Sequence, residues 1–320
     1  MFPASTSLQD KVLVIVGSPR GLTHAFATTA AQQGAKIALI QRVCARDTEF
    51  DTVYSETRAL RRAGATVLPF IADVRNPQEI AEVMASIFDE FGSLDYLVSI
   101  LGSLQMIESF DTAEKDFSSM LTVDTQGTRI CIRAAVPYLL QSQTPHVLIS
   151  APPLMFNDDW NMANSPYSMT KFAISMCARG LMSELSSTHI SINAIWPRIM
   201  IHVDELNRAS GYSLWRHLTR RPDIVVDAAY WIFSQPRSDT LTGRFWYDED
   251  VLRQAGITDF SHYQTAPPAP VRTVTNKPSS ISSDSTAHST GKDSFRFPRK
   301  VSSFFSLKNR HKISVGHGRK

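Results

Sequence analysis

The sequence predicts a doubly wound α/β fold, a parallel sheet with helices on both faces. Three observations point to it. Short β-branched and aliphatic runs alternate with helical stretches from Lys11 to Tyr247, and the first run ends in a glycine-bearing turn that opens a helix. No apolar run approaches the roughly 20 residues of a membrane span. With 320 residues, 43% of them apolar and 20% charged, the chain can bury one large core and still carry an appendage.

Residues 11–16 (KVLVIV) form a continuous apolar run, as expected of a strand buried on both faces. The turn Gly17-Ser18-Pro19-Arg20-Gly21-Leu22-Thr23 follows, then a helix over residues 24–34 with Ala25, Ala27, Ala30 and Ala31 at helical spacing, then a second strand over 35–40. Backbone N–H groups at such a helix start can receive a pyrophosphate, which makes Gly17, Ser18, Arg20, Gly21 and Leu22 candidate cofactor contacts. A plain turn would use the same glycines. The second strand ends in Gln41-Arg42, without the acidic residue that binds the ribose hydroxyls of NAD. Arg42, with Arg20, would attract a 2′-phosphate, so NADP is the expected cofactor; solvated surface arginines are the other reading.

Residues 56–64 read as a helix and Thr66–Ile71 as a strand. Asp73, just beyond that strand, suits either an adenine amine or a turn. An amphipathic helix over 78–91 leads to a fourth strand over 94–101 and Gly102. Residues 113–140 then read as one long helix carrying Asp124. A fifth strand over 147–150 ends at Ser150 and runs into the bend Ala151-Pro152-Pro153.

Tyr167-Ser168-Met169-Thr170-Lys171 opens the next helix, whose long side chains (Phe172, Ile174, Met176, Leu181, Leu185) carry it onward. Four residues apart, Tyr167 and Lys171 share a face. An ammonium beside a phenol stabilises tyrosinate and is expected to pull its pKa from about 10 toward neutrality, fitting it to exchange a proton with a carbonyl or alcohol oxygen. A core tyrosine beside a solvated lysine would show the same spacing. A sixth strand over 190–195 precedes Trp196-Pro197, an irregular region containing Trp215, a helix over 225–233 and a last strand over 244–247. The unusual polar residues fall at the strands' C-terminal ends, where such sheets hold ligands.

Cys44, Cys131 and Cys177 are far apart and read as free thiols of a reducing compartment, and no histidine spacing predicts a metal. The N-terminal residues show no basic stretch followed by an apolar block, so no secretory leader is expected. The net charge of +3 hides an asymmetry: residues 261–320 carry 11 Lys and Arg against Asp284 and Asp293, and the remainder is mildly acidic. From about residue 265 the chain is rich in Ser, Thr, Pro and Lys and is expected to be a disordered tail, either a solvated appendage or a segment touching anionic membrane or nucleic acid. Its end is not a peroxisomal address, and a cytoplasmic location is expected.

Over residues 8–262, the order of these pieces, with Tyr167, Lys171, Asn193-Ala194-Ile195-Trp196-Pro197 and Thr242-Gly243-Arg244-Phe245, resembles the short-chain dehydrogenase/reductase family. The resemblance implies a single Rossmann-like domain, NADP binding with contacts that include Asp73, Lys171 and Pro197, and redox chemistry on a carbonyl or alcohol, here expected to be a bulky lipophilic small molecule. It implies that Tyr167 exchanges the proton while Lys171 holds the ribose and tunes it, and that the protein is a homo-oligomer paired through long helices. Several positions depart from the family pattern. Val16 and Thr23 replace a threonine and the last glycine of the cofactor loop, and Ser99-Ile100-Leu101-Gly102 stands for Asn-Asn-Ala-Gly. Asp124 replaces the asparagine of the catalytic tetrad, and Ala151 occupies the position of its serine. Ser150, Asn157 or Asn161 would then have to supply a donor, at a cost of about 10²- to 10³-fold in rate if none does. The alternative is a cofactor-binding pseudoenzyme or scaffold without turnover.

Overall fold

The computed structural model describes residues 8–42, 52–102, 112–154, 165–203 and 218–265. Cys44, Asn157, Asn161, Trp215 and the tail from residue 266 lie outside the described residues. Seven parallel strands form one sheet in the order β3-β2-β1-β4-β5-β6-β7. They are β1 (Val12–Gly17), β2 (Lys36–Gln41), β3 (Thr66–Ile71), β4 (Tyr96–Ile100), β5 (His146–Ser150), β6 (Ser191–Trp196) and β7 (Phe245–Tyr247). All seven strands expected from the sequence are present.

The chain leaves β1 toward β2 and β3 on one side, then returns to β4 on the other, so the order reverses between β1 and β4. Val14 is registered with Ala38 on one side and Leu97 on the other. Such a reversal opens a crevice at the C-terminal edge of the sheet. Alternate residues of β1 feed two cores, as a sheet buried on both faces requires. Leu13 and Ile15 pack with Phe26 of α1 (Leu22–Gln32), Leu60 of α2 (Val53–Arg62) and Val225 and Phe233 of the helix Asp223–Ser234. Val12, Val14 and Val16 pack with Ile80, Met84 and Ile87 of α3 (Pro77–Phe91) and with Ile174 and Ala178 of α6 (Ser165–Glu184). Burying each such side chain contributes about 1.5–3 kcal/mol.

Local chemistry sets the helix ends. Thr52 and Ser55 form a reciprocal capping box at the start of α2. Asn76 accepts from Gln78 N ahead of Pro77 in α3, and Gly92 closes that helix in the left-handed conformation.

The single long helix expected over residues 113–140 is interrupted. It comprises α4 (Glu114–Leu121), a π-helical turn (Thr122–Gly127) and α5 (Thr128–Leu139). Threonines line the break: Thr122 Oγ1 donates to Ser118 O at 2.7 Å, Thr125 Oγ1 to Leu121 O, and Thr128 Oγ1 to Asp124 O at 2.7 Å. Hydroxyls that bond back to carbonyls four residues earlier compete with the helical ladder and loosen it. Asp124 lies within the π turn, the kind of irregularity that often marks a functional position. After β6 come α7 (Asp223–Ser234), β7 and α8 (Asp248–Gln254), the last of which the apolar pattern did not predict. Among the described residues no helix is long and apolar enough to cross a membrane.

Candidate active site

Tyr167 and Lys171 lie in the first turns of α6. Both are buried, Tyr167 with 8% of its surface exposed, and the Lys171 ammonium is 5.4 Å from the Tyr167 ring centroid. The shared helix face expected from their spacing is therefore present. Ser175 fixes this helix against the strand ends, its hydroxyl lying 2.7 Å from Pro152 O and 2.9 Å from Lys171 O.

Asp124 meets them from the π turn. Its Oδ2 accepts from Lys171 Nζ at 2.9 Å, and its Oδ1 is buried with no hydrogen-bond partner among the described residues. Gly127 sets the height of the turn: a Cβ there would lie 2.7 Å from Val74 Cγ2 and 3.1 Å from Leu101 Cδ1. Gly102, after β4, makes room for the pair. Its φ is +142°, and a Cβ would lie 2.3 Å from Lys171 Nζ and 3.2 Å from Asp124 Oδ2.

The electrostatics differ from the expectation. Burial raises the Tyr167 pKa above the ordinary phenol value; Lys171 works to lower it, and Asp124 raises it further. For Lys171, burial disfavours the ammonium, but Tyr167 and Asp124 together outweigh burial and raise its pKa. The expected fall of the tyrosine toward neutrality is thus reversed, because burial of the phenol outweighs the ammonium's field, which Asp124 partly offsets.

The cofactor-loop candidates gather at the C-terminal end of β1. Gly17 is buried, and a Cβ there would lie 2.9 Å from both Ile100 O and Thr23 Oγ1, so only glycine fits. Thr23 is itself buried against it. Gly21 has φ +53° and lies under Val203 from the segment after β6. It caps α1 with no side-chain hydrogen bond, which suits a helix start that receives an anion. Ser18 is exposed, Arg20 Nε lies 3.5 Å from its hydroxyl, and Leu22 begins α1.

Arg42 and Asp73 meet at the ends of β2 and β3, with Arg42 Nη1 3.9 Å from Asp73 Oδ2. Arg75, which the sequence reading did not single out, holds Asp73 with its side chain and backbone N–H. Its hydrogen bonds are the main reason the Asp73 pKa lies below the usual carboxylate value, although burial opposes them. The Asp-Val-Arg spacing, a carboxylate two residues before a guanidinium, was the available signal.

Ser150 ends β5 in register with Ile195, and Ala151 is fully buried with its N–H donated to Ile195 O at 3.2 Å. Ser99 is buried with its hydroxyl 3.3 Å from that of Thr128, joining the central strand to α5. Pro197 follows β6, and the next residue is tied down by Arg198 N donating to Asp248 Oδ1 at 2.9 Å. Among the described residues no group of three or more His, Cys, Asp or Glu could hold a metal.

A parallel sheet that reverses at β1/β4, with a glycine turn beneath its edge, is the arrangement of a dinucleotide-binding fold. The short chain dehydrogenase family matches residues 11–205, and the chain belongs to that family of oxidoreductases. It is similar to hydroxysteroid dehydrogenase-like protein 2 of Mus musculus, 33% identical over 272 residues, which cover 85% of this chain and 55% of the mouse protein. The Homo sapiens counterpart is 32% identical over 273 residues, covering 85% of this chain and 64% of the human protein. This chain therefore spans about half to two-thirds of those relatives. A solved short chain dehydrogenase of Mycobacterium thermoresistibile superposes with a TM-score of 0.73 at 28% identity, covering 82% of this chain and 93% of that one.

Proposed function

We propose that the protein is an NADP-dependent oxidoreductase acting on a bulky lipophilic ketone or alcohol, with Tyr167 as proton donor or acceptor and Lys171 tuning it. The observation that carries this reading is the buried approach of Lys171 to Tyr167, 5.4 Å from ammonium to ring centroid, beside the residue Gly102 that follows β4. The residues present fit a dinucleotide. Gly17 and Gly21 leave open the approach to the uncapped start of α1, with Ser18, Arg20 and Leu22 beside it. Arg42 supplies a cation for a 2′-phosphate, Asp73 an acceptor for adenine, and Pro197 a wall after β6. When bound, the nicotinamide supplies or accepts the hydride.

This chain's residues manage the proton. Tyr167 transfers it to or from the substrate oxygen, and Lys171 steadies the phenolate and the ribose. Ser150 is the hydroxyl nearest in sequence to the position that Ala151 occupies, and it is assigned the carbonyl contact. The lipophilic substrate class follows the name carried by the mouse and human relatives. We assign the oxidoreductase domain to residues 8–262, a cytoplasmic location, which suits the free thiols Cys131 and Cys177, and a basic tail beyond residue 265. Met169 and Met176, 56% and 59% exposed and one heptad apart on α6, support pairing of two copies through that helix.

The test is single-turnover consumption of NADPH with a panel of lipophilic carbonyls, run beside Tyr167→Phe. Consumption that the variant abolishes supports the mechanism; equal activity in both proteins rules it out. Two observations favour a second reading, a cofactor-binding pseudoenzyme: Lys171 is already engaged by Asp124, and Ala151 carries no hydroxyl. Tight NADP binding without consumption of NADPH by any carbonyl would select that reading.

A further inference from the structure

Resting on the oxidoreductase reading above, we propose that Arg220 is a positioning residue for the cofactor turn: it holds residues 200–203 against Gly21, and so sets how long a dinucleotide stays bound there. The reasoning starts at Gly21. Cγ1 of Val203 lies 3.1 Å from where a Gly21 Cβ would stand, so the bare glycine seats the valine methyl. The turn that opens α1 is thus supported from outside by the segment that leaves β6.

That segment lies outside the seven-stranded sheet and needs an anchor of its own. Arg220 supplies one with both backbone groups: its N–H donates to Met200 O at 2.9 Å, and its carbonyl accepts from His202 N at 2.7 Å. Arg220 pairs in parallel with Ile201 on this side and antiparallel with Gln264 on the other. The second pairing is closed by Arg221 N donating to Tyr263 O at 2.7 Å and Thr265 N to Thr219 O at 3.3 Å. Three short segments therefore form a ribbon with Arg220 at its centre. Tyr263 secures the outer segment, its side chain buried and its hydroxyl donating to Asp227 of α7.

The Arg220 side chain fixes the ribbon to the body of the protein. Its Nη2 lies 3.6 Å from Glu249 Oε1 of α8, with 14% and 8% of the two side chains exposed, and its Nη1 donates to Phe260 O at 3.4 Å. Arg220 Nε has no hydrogen-bond partner among the described residues. A buried ion pair so sparsely hydrogen-bonded adds little stability over apolar packing, and the best-attested use of such a pair is to fix one arrangement. Glu249 keeps a second cation in Arg253, 3.4 Å from its Oε2, so the carboxylate stays paired when Arg220 is replaced. A turn held in one shape need not be ordered on binding, and loosening it appears mainly as faster dissociation.

The first experiment needs no cofactor. Hydrogen–deuterium exchange of the full unliganded chain, read by mass spectrometry, compares wild type with Arg220→Met and Arg220→Lys. Arg220→Met is expected to speed exchange both in residues 198–204 and in residues 17–24, with the conservative Arg220→Lys in between. Faster exchange in residues 198–204 with 17–24 unchanged, or no change in either, overturns the proposal. Should Arg220→Met fail to fold, Val203→Ala decides, since it leaves the backbone bonds of the ribbon in place. It is expected to speed exchange in residues 17–24, and an unchanged turn overturns the proposal.

The second experiment follows NADPH binding and release by stopped-flow fluorescence. Arg220→Met is expected to raise the dissociation rate constant at least about fivefold, within the range for residues that act on a site through packed contacts, and to leave association nearly unchanged. Arg220→Lys is expected to restore most of the wild-type residence time. A lower urea midpoint with unchanged dissociation marks a merely structural role and overturns this proposal alone. A wild-type protein that shows the expected exchange but binds no NADPH overturns the dinucleotide reading, and the positioning role with it.

Discussion

The Asp124 carboxylate and the Lys171 ammonium, 47 residues apart in sequence, meet at 2.9 Å with both side chains buried. Breaking such a pair from one side leaves an uncompensated charge in a dry environment, which typically costs about 3–5 kcal/mol. Lys171→Met is therefore expected to lower the urea midpoint sharply, since Asp124 Oδ1 already lacks a partner among the described residues. Lys171→Met with Asp124→Leu removes both charges and is expected to recover most of the loss. Equal midpoints for the single and double variants would mean that the pair is not coupled in the folded protein.

Gly102 gives a sharper structural test. Its φ of +142° is a conformation that side chains rarely adopt, and an added methyl would lie 2.3 Å from Lys171 Nζ. Gly102→Ala is expected to displace the ammonium and lower kcat at least about 100-fold, the scale of losing one well-placed catalytic donor. Far-ultraviolet circular dichroism should remain native, because the change lies at the end of a strand and not within the sheet. Undiminished kcat would show that the Lys171 position is not essential to turnover.

The sheet was legible in the sequence because strands buried on both faces are written as unbroken runs such as residues 11–16, separated by glycine turns and helical periods. The Tyr167–Lys171 face was legible for the same reason: helical spacing is local information. The π turn was not, since the apolar period continues across residues 113–140 and only the threonine hydroxyls, acting on carbonyls one turn back, loosen the ladder. Helix α8 was missed because seven residues opening with Asp248, Glu249 and Asp250 carry little apolar pattern, although acids in a first turn favour a helix start. The reversed shift of Tyr167 depends on how deep the phenol lies and how close Asp124 comes from another segment, and spacing along one helix encodes neither.

Arg42 and Arg75 divide the work at the far end of the crevice. Arg75 is committed to Asp73 through its side chain and backbone N–H, while Arg42 stands 3.9 Å from the same carboxylate. On the NADP reading, Arg42→Ala removes a charge-assisted contact of about 1.5–3 kcal/mol, so NADP affinity is expected to fall roughly 10- to 150-fold while NAD affinity changes little. Arg75→Ala is expected to weaken NADP by only a few-fold, by releasing Asp73 toward Arg42. Calorimetric titration of each variant with both dinucleotides checks this. Equal losses for NADP and NAD in Arg42→Ala would remove Arg42 from phosphate selection.

Acid stability should reveal two buried groups that oppose each other. His146, at the start of β5 and stacked 5.6 Å from Tyr96, has its pKa pushed by burial down to about 4. Unfolded chains take up this proton below about pH 6.5 while the folded protein refuses it, so His146 lowers stability as pH falls from about 6.5 toward 4. Asp248 is pushed up to about 6, chiefly by burial and against the N–H groups of Arg198 and Glu249. The folded protein takes up that proton below about pH 6 while the unfolded chain waits until about 3.8, so Asp248 raises stability over nearly the same window. Each shift corresponds to about 3 kcal/mol, with opposite sign. The wild-type urea midpoint is therefore expected to change less between about pH 7.5 and 4.5 than that of either single variant. His146→Phe should gain stability on acidification relative to wild type, and Asp248→Asn should lose it, having started more stable at neutral pH. Both variants running parallel to wild type across that range would show that neither group titrates differently in the folded and unfolded chains.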